Sequence, residues 1–175
     1  MAYRFATSQW VPIRQEVVFA FFANPHNLPK LMPEASQTRI EELRIVPAHA
    51  KGSNTGGAIP HEQIAAGIGS EILVSFRPVP WLPFRASWLA RVTKFAWGSH
   101  SCDEQVRGPF AQFRHCHQTR TEMQSGVCGT VVTDRIIYAL PFGALGRMGS
   151  SVVRRELERT FAERQERLVR LITGN

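Results

Sequence analysis

Cysteine is sparse. Cys102, Cys116 and Cys128 are three in 175 residues, an odd number with no C-x-x-C spacing. That argues against a disulfide framework and against a structural zinc site, and the reading is free thiols in a cytoplasmic protein. Long apolar runs are missing too: none reaches the roughly 18 residues that a membrane-crossing helix needs, so no transmembrane segment is expected. The opening Met1-Ala2-Tyr3-Arg4-Phe5 lacks the basic start and apolar stretch of a signal peptide. No G-x-S-x-G, no H-E-x-x-H and no phosphate-cradling glycine loop occurs, which removes the motif-based hydrolase, zincin and P-loop readings. Internal repeats and low-complexity segments are absent as well.

What is present suits a folded chain. Hydrophobic residues make up 43% and charged residues 20%, and the length matches one domain, residues 1–175. The net charge is +7 with a pI of about 10.2, which raises nucleic acid or an anionic surface as partners. The excess is spread along the chain rather than gathered in a tail. Arg85, Arg91, Arg107, Arg114 and Arg120 could form a basic outer sheet surface. On the last element Arg154, Arg155, Arg159, Arg164, Arg167 and Arg170 alternate with four glutamates and read as a solvated helix face. A basic interaction protein that binds anionic lipid or RNA therefore stays only an alternative, and nucleic acid is not the favoured partner.

Residues 3–11 read as a strand stopped by Pro12, and the dense apolar set in 14–23 suits a short buried helix. Asn24-Pro25 looks like an N-cap with proline in the first helical position, opening a second short helix through Leu31. A weak strand signal spans 36–46. Residues 47–67 are small, polar and glycine-rich and read as a long flexible loop. Strand patterns follow at 69–77, 84–97, 99–107, 110–123 and 128–140, with short turn signals between most of them that imply antiparallel neighbours. From about Ser150 to Ile172, Val153, Leu157, Phe161, Leu168 and Ile172 recur at helical spacing, and Gln165 interrupts the stripe. It either reaches solvent at the helix edge or makes a polar contact inside a pocket. One apolar sheet face and one long helix predict an α+β fold. A curved antiparallel sheet of six to seven strands wraps around the C-terminal helix, and two short helices follow strand 1.

Three stretches carry a family resemblance. They are Val17-Val18-Phe19-Ala20-Phe21-Phe22-Ala23-Asn24-Pro25-His26-Asn27-Leu28, Asp103 to Phe110 with Phe113-Arg114-His115-Cys116-His117, and Gly129-Thr130 through Asp134 and Tyr138 to Pro141. Together they resemble the START/Bet v 1-like (SRPBCC) superfamily, within it the bacterial polyketide cyclase/dehydrase-like, ligand-binding subgroup. The resemblance implies a helix-grip fold and a hydrophobic small-molecule ligand: a lipid, a polyketide-like compound or an aromatic metabolite. It also keeps open a cyclase or dehydratase activity. It implies no cofactor, and it sets no oligomeric state. Phe113 stands where the subgroup usually has Trp, Ser101 where an aromatic is usual, and the 47–67 loop is longer than typical.

The polar candidates lie on three of the predicted strands. If Ser125-Gly126 is a two-residue hairpin loop, His117 faces Asp134 and Phe113 faces Tyr138. A slip of two residues would pair Thr119 with Asp134 instead. A one-residue bulge at Gly108-Pro109 would place Asp103 opposite His115 and complete a cluster of two His, two Asp and Gln105. The same hairpin would set Cys102 against Cys116 on the other face, as free thiols. Four roles compete for the cluster. It can fix sheet register through hydrogen bonds. It can recognise polar atoms of a mostly apolar ligand. It can supply acid–base catalysis, with His115 or His117 as base and Asp134 as orienter. It can hold a metal, the least favoured, so no metal is expected. Trp88, Asp103, Gln105, Phe113, His115, His117, Asp134, Tyr138, Phe161 and Gln165 are the candidate ligand-binding residues. Phe76, Trp81, Phe84 and Phe142 could also line a pocket, although aromatics in a curled sheet usually form plain core.

Overall fold

The computed structural model describes residues 1–48, 64–78, 83–143 and 148–173. Strand β1 (Tyr3–Val11) is followed by helix α1 (Gln15–Ala23), a 3-10 turn (Pro25–Asn27), the one-turn helix α2 (Leu28–Leu31) and a second 3-10 turn (Glu34–Ser36). Six strands come next: β2 (Arg39–Arg44), β3 (Glu71–Phe76), β4 (Ala86–Ala96), β5 (His100–Arg107), β6 (Gln112–Gln124) and β7 (Val127–Ala139). Helix α3 (Ser150–Thr173) closes the fold. The seven strands form one antiparallel sheet in the order β1-β7-β6-β5-β4-β3-β2, curved around α3 as a helix-grip fold. The expected segment 24–31 is split. Asn24 Oδ1 caps the 3-10 turn by accepting from the His26 N–H at 3.0 Å, with Pro25 at its first position, and α2 then begins at Leu28. Of the predicted 47–67 loop, residues 49–63 lie outside the described residues, as does Trp81. Pro47 and Ala66 form an isolated antiparallel bridge.

The central register follows from one turn. Ser125 and Gly126 both have positive φ, 49° and 80°, the signature of a two-residue type I′ hairpin. Gln124 then faces Val127, His117 faces Asp134 and Phe113 faces Tyr138. On the other side of β6, Asp103 pairs with His115 and Cys102 with Cys116. Register shifts at Leu89/Ala90 and Val92/Lys94 interrupt the β4–β5 ladder, and such bulges bend a sheet.

The interior between sheet and helix is layered. Phe5, Phe113, Ile136, Tyr138 and Phe161 form one apolar cluster, with Trp88, Phe110 and Leu157 packed against it. Val11, Val18, Leu31, Val132 and Leu168 form a second. Strand alternation explains what lies between them. Along β1, Thr7 and Gln9 separate Phe5 from Val11; along β7, Asp134 separates Val132 from Ile136; along α3, Arg164 and Gln165 separate Phe161 from Leu168.

Two expectations are corrected. Cys102 and Cys116 are joined by a disulfide, with Cα atoms 4.1 Å apart, instead of being free thiols. Residues directly opposite in an antiparallel pair bring their Cβ atoms within bonding reach. The cytoplasmic reading rested partly on free thiols and loses that support. Arg164 is not on a solvated helix face: it is 9% exposed.

Gly129 has a packing reason. A Cβ there would lie 2.4 Å from the Val11 carbonyl oxygen and 2.5 Å from the Trp10 ring, and that ring is held by a 3.2 Å bond from Nε1 to the Glu122 carbonyl. Gly129→Ala should lower stability by about 1–3 kcal/mol, read from the denaturant midpoint. Thiol titration of the unreduced, unfolded protein should find one reactive cysteine, the exposed Cys128, and three after reduction.

Candidate functional site

Strand β6 supplies His115 and His117 to the concave face, two residues apart and therefore on one side. Strand β7 brings Asp134 beside them. His115 Nε2 lies 2.9 Å from Asp134 Oδ1 in a buried hydrogen bond, and His117 Nδ1 contacts the same oxygen. From β5, Asp103 Oδ1 stands 3.8 Å from His115 Nδ1. Aromatic groups hold the imidazoles: Phe22 packs on His117 at 4.7 Å between ring centroids, and the Phe161 ring meets His115 edge-on at 5.5 Å.

Burial sets the electrostatics. Desolvation, reinforced by His115, pulls His117 down to about 4, so it is neutral at neutral pH. Desolvation pushes the Asp134 carboxyl up, but contacts from His117 and His115 outweigh it and hold the group well below the usual carboxylate range. Asp103 moves the other way, because burial raises it more than His115 and Arg164 lower it. Burial also lowers Arg164, against the pull of Asp134 and Asp103, yet a guanidinium stays charged in proteins.

Among the described residues, a metal would use His115, His117 and Asp134, whose ligand atoms lie within 4.8 Å of one another. Asp134 Oδ1 touches both imidazole nitrogens, so it occupies the space an ion would share with them. In this arrangement the carboxylate bridges the two histidines directly, and a cation could enter only if it withdrew.

A cleft of about 250 Å³, its open mouth included, lies against this cluster and is lined by Gln9, Phe22, Leu31, Val132, Asp134, Arg164, Gln165 and Leu168. Its enclosed part has room for about one water molecule. Gln165 donates from Nε2 to Thr7 Oγ1 and accepts at its backbone oxygen from Gln9 Nε2, both at 3.0 Å.

The candidates thus divide into three groups. Asp103, His115, His117 and Asp134 come together, and Gln165 joins the cleft beside them. Trp88, Phe113, Tyr138 and Phe161 are core aromatics: Trp88 meets Phe113 at 4.5 Å, and Tyr138 is 2% exposed. Gln105 does not reach the cluster, because its amide is spent on the Phe110 backbone, donating at 2.8 Å and accepting at 3.3 Å. Of the further aromatics, Phe76 packs on Trp88, whereas Phe84 and Phe142 are exposed.

Of the cleft residues only Asp134 and Gln165 were candidates; Gln9, Phe22, Leu31, Val132, Arg164 and Leu168 were missed. A signal for Arg164 existed. It follows Phe161 by three residues and precedes Leu168 by four, so the apolar stripe runs through it.

Neither a family model nor a curated protein matches the chain. Solved structures do. The protein TTHA0849 from Thermus thermophilus is 12% identical over 98% of both chains, with a TM-score of 0.66. Ara h 8.0201 is 11% identical over the full length of both, at 0.63. CV1439 from Chromobacterium violaceum is 12% identical over 97% of this chain and 96% of its own, at 0.62. What the chain shares with these structures is the fold, a curved antiparallel sheet wrapped on a long C-terminal helix. No helix among the described residues is long and apolar enough to cross a membrane.

Because His117 titrates lower folded than unfolded, the unfolded chain binds the extra proton first as pH falls. The stability that His117 contributes is complete above about 6.5 and is lost as pH falls from there toward about 4. Thermal melts across that window should show a falling midpoint, and His117→Gln should flatten the slope.

Proposed function

We propose that this chain is a small-molecule-binding protein that holds a hydrophobic ligand (a lipid, a polyketide-like compound or an aromatic metabolite) between its sheet and C-terminal helix. The observation that carries the reading is the cleft. Phe22, Leu31, Val132 and Leu168 give it apolar walls, and Gln9, Asp134, Arg164 and Gln165 give it a polar end. An apolar pocket with a few convergent polar groups is the usual form of a ligand site. The three motif stretches support a relationship to the bacterial cyclase/dehydrase-like, ligand-binding proteins.

The cleft is narrow in this structure, so a ligand has to widen it. The α2 wall is suited to that. It is one turn long, and beyond the packing of Leu31 in the Leu168 cluster its polar ties to α3 are long: Arg167 to the Lys30 carbonyl at 3.5 Å and Arg167 to the exposed Glu34 at 3.6 Å.

A second reading, acid–base catalysis of a dehydration or cyclisation, is favoured by one observation: Asp134 belongs to both the cleft and the histidine pair. His115 or His117 would be the base and Asp134 would hold the ring, with Asp134 the one member of the three that lines the cleft. Asp134→Asn would then abolish turnover while leaving ligand affinity largely in place.

Native mass spectrometry of the purified protein tests the main reading. An adduct of small-molecule mass, released by organic extraction, is expected. A bare mass, together with no thermal shift against lipids, aromatic acids and polyketide-like phenols, would sink it.

A further inference from the structure

We propose that Arg164 is a ligand anchor, and that the cleft takes an amphipathic monocarboxylate whose acid group pairs with the Arg164 guanidinium while its apolar body lies against Phe22, Leu31, Val132 and Leu168. The proposal rests on the reading of the cleft as a small-molecule site and names the chemistry of its ligand.

Three observations carry it. The first is an unspent cation. Arg164 is 9% exposed, and its guanidinium lies over the Phe161 ring at 4.7 Å. Among the described residues it makes no hydrogen bond and no ion pair within 4.0 Å. Every other described arginine of α3 except Arg155 has a glutamate partner, as in the pairs Arg154–Glu158, Arg159–Glu163 and Arg170–Glu166, and all of those lie nearer solvent. Asp134 and Asp103 attract it from beyond contact distance, and its donors are left to the cleft. Asp134 is engaged by His115 and His117, and Asp103 faces His115.

The second is a bare acceptor. Gln9 Oε1 is buried with no hydrogen-bond partner. The amide cannot simply be turned over, because Nε2 is spent on the backbone oxygen of Gln165, which only accepts. The cleft therefore presents donors on Arg164 and an unmet acceptor on Gln9. A carboxylate satisfies the first. A water beside it, donating one hydrogen to the carboxylate and the other to Gln9 Oε1, satisfies the second, and the cleft has room for about one water.

The third is the sign and size of the site. A cation entering the cleft would meet Arg164. A phosphate dianion would meet one guanidinium and, at Asp134, a carboxylate. A planar carboxylate matches the guanidinium fork with the least added charge, and the two imidazoles in contact with Asp134 Oδ1 take up part of that residue's charge.

The test uses pairs of near-equal shape in which a carboxylate is replaced by a neutral amide: octanoate with octanamide, and trans-cinnamate with cinnamamide. Affinities for the full chain and for Arg164→Gln are measured by calorimetry or ligand-observed NMR. The carboxylates should bind the wild type about tenfold or more tightly than the amides. Arg164→Gln should erase that preference, the carboxylates losing far more affinity than the amides. Equal affinity for acid and amide in the wild type would overturn the anchor while leaving the binding reading intact. No binding of any of the four would overturn both. Arg164→Met supplies an independent readout. It should fold with an equal or higher melting temperature, because an unpaired buried cation is being replaced by an apolar group. A large fall would show Arg164 to be part of the structural scaffold and would overturn the proposal.

Discussion

The interior of this protein is organised around one carboxylate. Asp134 Oδ1 touches imidazoles at positions 115 and 117 of the neighbouring strand, 2.9 Å from the first. The contact exists because β6 and β7 are locked in register by the two-residue turn that joins them. It is buried because the sheet curls over α3. A polar layer in the middle of a core is costly unless its members satisfy one another, and here most of them do. Gln9 Oε1, buried without a partner, borders the cleft, as does Arg164.

That layer divides the core into two apolar halves, one around Phe161 and one around Leu168. The first is dense with aromatics. The second borders the one-turn helix α2 and the cleft. The same asymmetry sets the cleft at the α2 end of the helix grip, with the polar layer as its floor. It also explains why aromatic candidates such as Trp88 and Tyr138 pack as core and do not line that cleft.

Much of this was legible in the residue order. The Ser125-Gly126 turn sets the β6–β7 register, and with it the facing pairs His117/Asp134 and Phe113/Tyr138, because a hairpin loop of known length leaves one pairing. The Asp103/His115 pair needed an assumption about the Gly108-Pro109 connection. Gln105 shares a strand face with Asp103, yet its flexible side chain turns to the Phe110 backbone. Alternation fixes where a Cβ points and leaves the end of a long side chain free.

The sequence by itself determined the periodic features: strand and helix order, the one-sided apolar patterns and hence a sheet wrapped on the last helix, and the strands that carry histidine and aspartate. These depend on spacing along the chain, which is local. Tertiary structure decided three things that spacing could not. Strand pairing set Cys102 against Cys116 at bonding distance. The angular position of α3 against the sheet turned Arg164, rather than Gln165 alone, into the interior. The approach of β1 set Gln9 beside α3 and left its oxygen bare. Each is a contact between groups far apart in sequence, and its energy depends on the distance and desolvation that only the folded chain provides.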